Sequence, residues 1–116
     1  MGYAPATLNT AASDETAHYA YISLHTADPG TTGASEATGG SPAYARKAAV
    51  WGTPSGGVVS ATQVTFDVPA GTYGYFGLWS AATGGTFYLG KPLNAPQAPS
   101  GQTTIPVTVT LTVTGV

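Results

Sequence analysis

The sharpest pattern in this chain is near its end. Ile105, Val107, Val109, Leu111 and Val113 alternate with Thr104, Thr108, Thr110, Thr112 and Thr114, which predicts a strand with one buried and one hydroxyl-rich face. Pro106 lacks a donor, so that end belongs at a sheet edge or a strand start. Residues 18–26 alternate too, with Ala20, Ile22 and Leu24 against Tyr19, Tyr21, Ser23 and His25. Residues 58–68 read as one half-buried strand, Val64, Phe66 and Val68 inward, Gln63, Thr65 and Asp67 outward. The stretch 73–80 carries Phe76 and Leu78 on one face and Tyr73, Tyr75 and Trp79 on the other. A strand apolar on both faces belongs in the middle of a two-layer structure or under another chain. Residues 81–85 contain the Gly84-Gly85 pair and residues 86–89 return with Phe87 and Leu89, so this region reads as a hairpin.

The segments between are less regular. Residues 43–52, with Tyr44, Val50 and Trp51, read as a short strand, with a helix as the competitor because Ala, Arg and Lys are helix formers. Ala27-Asp28-Pro29-Gly30 is turn chemistry. Residues 31–42 form a long loop without apolar anchors, which marks it as functional or mobile. Pro54-Ser55-Gly56-Gly57 reads as a turn, and residues 90–101, with Pro92, Pro96 and Pro99, as an extended surface crossing rather than a strand. Residues 1–17 read as an extended N-terminal arm, with Leu8 its one core anchor. The expectation is all-β: a small antiparallel β-sandwich (jelly-roll or Ig-like, six or seven strands) or a flattened barrel over residues 18–116, preceded by the arm.

Charge changes the picture most. Only 7% of 116 residues are charged, 3 basic and 5 acidic, for a net charge of −2, against roughly a quarter in an average domain. Arg46, Lys47 and Lys91 cannot neutralise a phosphate track, so nucleic acid is not an expected partner. A surface of Thr, Ser, Gly and Ala lacks the repulsion that keeps neighbours apart, so the chain reads as a subunit packed on other chains, a homo-oligomer with a trimer among the options. The absence of cysteine excludes disulfides and thiolate metal sites. No stretch is long and apolar enough for a membrane span, so a soluble product is expected, and no export signal opens the chain.

Candidate chemistry is thin. His25-Thr26-Ala27-Asp28 is the tightest cluster, but a His/Asp pair needs a nucleophile elbow and an oxyanion site, and the sequence offers neither. Asp28 capping its own turn, with His25 on a strand face beside it, is the simpler reading. Asp28, Glu36 and loop carbonyls could be combined into a calcium site, yet the spacing matches no dedicated loop. The Gly-Gly pairs lack the Gly-Lys-Ser/Thr of a phosphate cradle. No catalytic, cofactor or metal residue is therefore assigned. Candidate contact residues are Tyr19, Tyr21, Tyr73, Tyr75, Trp79, Thr108, Thr110 and Thr112, since amphipathic rings dominate contact surfaces. Core packing competes for the rings, and a carbohydrate-binding surface on Tyr73, Tyr75 and Trp79 is a further alternative.

The blocks Ser23-Leu24-His25-Thr26-Ala27-Asp28-Pro29-Gly30 and Gly39-Gly40-Ser41-Pro42-Ala43-Tyr44-Ala45-Arg46 resemble a family of small tailed-bacteriophage virion proteins. The likeness continues through Phe76-Gly77-Leu78-Trp79-Ser80 and the Thr/Val-alternating end. Such proteins are labelled phage tail fibre or minor tail proteins. The resemblance implies a non-enzymatic subunit of an actinobacteriophage virion of the siphovirus type, assembled in the host cytoplasm. Its partners would be other virion proteins, either in the tail or, as a capsid decoration protein, on the major capsid protein.

Overall fold

The computed structural model describes residues 18–53, 55–56 and 58–112. The expected arm, residues 1–17, lies outside the described residues, as do Pro54 and Gly57 of the expected turn and positions 113 and 114 of the terminal alternation. Among the described residues there are eight strands: β1 (Tyr21–His25), β2 (Lys47–Ala48), β3 (Val58–Ser60), β4 (Val64–Val68), β5 (Tyr73–Trp79), β6 (Phe87–Gln97), β7 (Thr103–Val107) and β8 (Thr110–Thr112). They form two layers. One is an antiparallel sheet in the order β2-β1-β5-β6; the other is a ribbon in which β4 pairs with β7 and β3 with β8. The fold is the all-β, sandwich-like architecture that the alternations predict.

The alternating apolar positions meet in one core. Ile22 faces Leu78 and Leu24 faces Phe76 across β1 and β5. Val59, Phe66, Val68, Ile105, Val107, Val109 and Leu111 supply the ribbon's share, and all of these side chains are buried. One side of the sandwich is closed by residues 49–52. The Ala49 amide donates to Ala20 of the sheet side, while the Gly52 amide donates to Ser60 and the Thr62 amide to Val50. A bridge between Trp51 and Ala61 on that path interrupts the 58–68 run, which is why one expected strand is two.

Three expectations change. Residues 90–97 are not a surface crossing: they continue β6, with Phe76 opposite Lys91 and Tyr75 opposite Pro92. Because β6 is the edge of its sheet, Pro92 and Pro96 cost the ladder little. Tyr73 is not on the face of Tyr75 and Trp79. A register slip between Tyr73 and Tyr75 resets the alternation, and Tyr73 enters the core, 2% exposed. Its hydroxyl donates to the Pro69 carbonyl at 2.9 Å, a tyrosine-corner contact that fixes the entry to β5. Of residues 43–52, only Lys47–Ala48 joins a ladder.

The loop after β1 is the larger surprise. It has anchors: Pro29, Gly33 and Ala37 are buried, and Ala37 donates to the Leu24 carbonyl at 2.8 Å. Residues 26–38 form a strap in two parts: residues 27–34 cross the outer face of β1, β5 and β6, while residues 35–37 pair along the β1 edge, Glu36 opposite His25, and carry Ala37 into the core. Ser23, Gly77 and Gly90 are neighbours in register across those strands, and this row of small residues forms a trough. Pro29 lies against Gly90, Gly33 against the Trp79 indole, and the His25 ring and Phe87 over Gly77. Both faces of β1 and β5 are thereby buried within a single chain.

A Cβ at Gly77 would stand 2.6 Å from Ser23 Oγ and 2.8 Å from His25 Nε2, both fully buried. Gly77→Ala should therefore destabilise by about 1–3 kcal/mol, the usual cost of overpacking. In thermal unfolding it should lower Tm, while Gly56→Ala, where an added Cβ meets nothing within 4 Å, costs only its positive-φ strain.

Candidate functional site

Under and beside the strap lies the chain's one concentration of paired polar groups among the described residues. His25 is 0% exposed, as is Ser23. The His25 Nδ1 is 2.7 Å from the Ala34 carbonyl, which can only accept, so Nδ1 carries the proton. Its Nε2, 2.6 Å from Ser23 Oγ, is then the acceptor, and the Ser23 hydroxyl donates to it. Trp79 Nε1–H donates to the same oxygen at 2.8 Å. The result is a directed chain, Trp79 to Ser23 to His25 and His25 to Ala34, satisfied when the imidazole is neutral. Burial holds the His25 pKa below its ordinary value, outweighing the Ala34 hydrogen bond and the Glu36 charge.

Arg46 stacks over the Trp79 ring at 3.5 Å. Its Nε and Nη2 donate to the two Glu36 oxygens at 2.9 Å each, a fork-to-fork pair. Nη1 donates to the Ala81 and Gly84 carbonyls at 3.0 and 2.9 Å, tying down the β5–β6 turn. Tyr44 donates to Glu36 at 2.8 Å and accepts from the Leu24 amide at 3.0 Å, while its ring stacks on Phe66. Burial alone would raise the Glu36 carboxyl, but hydrogen bonds from Arg46 and Tyr44 hold it below its ordinary value. Burial and the neighbouring carboxylate push the Tyr44 hydroxyl far up. One guanidinium thus joins the strap, the turn and the sheet face.

This arrangement is built to hold. A Ser–His hydrogen bond resembles an activated nucleophile, but here the hydroxyl is fully buried beside Gly77 and Trp79 and already accepts a hydrogen bond. Asp28 is not its partner: it accepts from the Gly30 amide at 2.9 Å, the expected turn cap. Glu36 is committed to Arg46 and Tyr44. Among the described residues, no group of three His, Asp or Glu side chains is placed to hold a metal ion.

The eight candidate contact residues do not form one site. Trp79 is 8% exposed beneath Arg46, Tyr73 is in the core, and Tyr19 is buried between the rings of Trp51 and Tyr88. Tyr21 and Tyr75, each half-buried, flank the trough. Thr108 and Thr110 are exposed on the ribbon, bordering an open groove shared with Lys91, Pro92 and Leu93 of β6. Thr110 and Ser60 hydroxyls meet at 2.9 Å. Thr112 pairs with Val58 through its backbone, and its side chain lies outside the described part. Sequence reasoning did not single out the Arg46–Glu36 pair; its one signal was scarcity, a cation set in an otherwise uncharged stretch.

A family model described as "Podophage GP4 fiber I protein gp80" matches residues 6–114. No curated protein matches the chain.

The fork predicts unequal consequences for Arg46 substitutions. Arg46→Lys keeps the charge but loses the double bond to Glu36 and the planar stack on Trp79. It should cost about 1.5–3 kcal/mol, the scale of hydrogen bonds to charged groups, by denaturant unfolding. A double-mutant cycle with Glu36→Gln should show strong coupling; additive losses would mean that the two side chains act independently.

Proposed function

Because the chain belongs to the family of podophage GP4 fiber I protein gp80, and so is a fibre-type structural protein of the phage virion, we propose that it is a non-enzymatic fibre or minor tail subunit that assembles with copies of itself. The observation that carries this reading is the family match, which spans nearly the whole chain. Two features support the finer part. The described surface is hydroxyl-rich and nearly uncharged, and the buried Ser–His and Arg–Glu groups are committed to holding the fold together.

Contact through side chains on the ribbon face, centred on Thr108 and Thr110, fits better than strand addition. Both walls of the groove beside these residues are edge strands, and they carry Pro92, Pro96 and Lys91 on β6 and Pro106 on β7. Proline and lysine are the usual means of blunting an edge. The half-buried rings of Tyr21 and Tyr75 are a second contact surface, toward other virion proteins.

Two measurements test this. Quantitative mass spectrometry of purified virions should find a small number of copies per particle, as a fibre requires. A ratio near one to one with the major capsid protein would instead indicate a capsid decoration protein, and absence from virions would overturn the structural role. In solution, Thr108→Lys with Thr110→Lys should weaken self-association by about tenfold or more, roughly 1.4 kcal/mol. Because both positions, and the Ser60–Thr110 hydroxyl contact, are exposed, stability should change by no more than about 1 kcal/mol. Unchanged association would remove the ribbon face from the proposal.

A further inference from the structure

The strap is fastened over a buried histidine whose second ring proton would cost the Ser23 hydroxyl the nitrogen that accepts its hydrogen. From this geometry we propose that the crossing part of the strap, residues 27–34, forms an acid-released latch, in which protonation of His25 lifts it from the β1–β5–β6 face while the core between the layers, and residues 35–37 on the β1 edge, stay in place.

The argument begins with the hydrogen atoms. Nδ1–H is committed to the Ala34 carbonyl, which belongs to the strap. The Nε2 lone pair is committed to the Ser23 hydroxyl, whose oxygen is committed to Trp79. A proton arriving on Nε2 points at an oxygen that already receives the indole N–H, and it displaces the Ser23 hydrogen from the ring nitrogen that accepted it. A buried cation and an unpartnered hydroxyl then coexist at a site that is 0% exposed, and each is costly without water.

Water can be admitted from one direction. Toward the sheet, His25 is backed by Gly77 and by the ring of Phe87, 6.2 Å between centroids. From β5, Tyr75 stands opposite it in register. From the strap, Glu36 contributes a favourable charge, and from the segment before β2, Arg46 contributes an opposing one. The fork joins these two, so their fields oppose one another at His25, and desolvation is the larger influence. The strap is the removable cover. The ties of its crossing part to the sheet are few: Ala34 to the imidazole, Pro29 on Gly90 and Gly33 on the Trp79 indole, with the bonds from Gly33 and Ala34 to Pro29 closing its own turn. Residues 35–37, by contrast, are held by the β1 edge and the Glu36–Arg46 fork, and the core holds both layers by more than a dozen buried side chains, Ala37 among them. Local opening is therefore the cheaper route to hydrating the ring.

The direction with pH follows. When the strap opens, His25 titrates near its ordinary value of 6.5; when it is closed, protonation waits for a lower pH. The closed form is fully favoured above 6.5 and loses its advantage progressively as pH falls below that value. Release of Glu36 belongs to a lower window, because its carboxyl is held below the ordinary 4.5.

The test uses the full chain with Trp51→Phe, which leaves Trp79 as the one tryptophan of the original two. Amide exchange at Gly33 and Ala34, corrected for its intrinsic pH dependence, is followed from pH 8 to 4.5 together with Trp79 emission. The expected result is a rise of tenfold or more in their exchange and a red-shifted emission with a common midpoint below 6.5, while amides such as Ala37 on the β1 edge and Leu78 in the central strand stay protected. His18→Gln should leave this unchanged, and Glu36→Gln should keep a transition. His25→Asn should abolish it. Should His25→Asn fail to fold, ring NMR of the Trp51→Phe protein decides: an Nδ1–H tautomer whose titration shares the strap's midpoint supports the latch. An Nε2–H tautomer, separate midpoints, or strap exchange that merely follows global unfolding would overturn it.

Discussion

Everything in this structure depends on burying both faces of the β1–β5 pair with one short chain. A sheet in a two-layer domain ordinarily gives one face to the core and the other to water. Here the inner face meets the ribbon, and the outer face carries Trp79, Phe87 and His25, which water would not suit. The strap solves this only because Ser23, Gly77 and Gly90 leave room for it. A larger side chain anywhere in that row would hold residues 27–34 away from the sheet. The glycines therefore matter for the absence of a Cβ rather than for unusual backbone angles.

Burying the second face brings polar groups with it, and each has a partner. Trp79, Ser23 and His25 form a directed chain, while Arg46 satisfies Glu36 and two turn carbonyls at once. Among the described residues, no buried side-chain nitrogen or oxygen lacks a partner. Completeness of this kind argues for a structural role more strongly than the identity of the groups argues for catalysis. A serine poised for attack needs an open approach, and Ser23 is fully buried. The same completeness makes the cluster sensitive to a single added proton, because it takes from the Ser23 hydroxyl the ring nitrogen that accepts its hydrogen.

Where one face decides the packing, the sequence was readable. The alternation of Ile105, Val107, Val109 and Leu111 with threonines is the ribbon as it stands, and the aromatic hairpin from Tyr73 to Leu89 pairs as its turn chemistry suggests. What escaped was decided by neighbours rather than by period. Tyr73 changes face through a register slip that no residue pattern announces. β6 runs through Pro92 and Pro96, acceptable only because that strand has an edge to itself. The strap looked unanchored because its anchors are Pro29, two small residues and a histidine's second nitrogen, none of which registers as hydrophobic periodicity. Arg46 and Glu36 lie ten residues apart in irregular chain, and their meeting depends on where the hairpin turn falls.

The scarcity of charge connects the fold to its setting. Of the basic side chains, Arg46 is spent inside the structure, leaving Lys47 and Lys91 to act at the surface. A free monomer so equipped has little electrostatic defence against association. It does, however, have defended strand edges: Pro92, Pro96 and Pro106 withhold donors along both walls of the open groove. A chain that discourages strand-to-strand growth while leaving a neutral threonine face open is biased toward contacts that are set by shape and that close. Closed, shape-defined assembly is what a fibre subunit needs, since open-ended edge pairing would give aggregates of no fixed length.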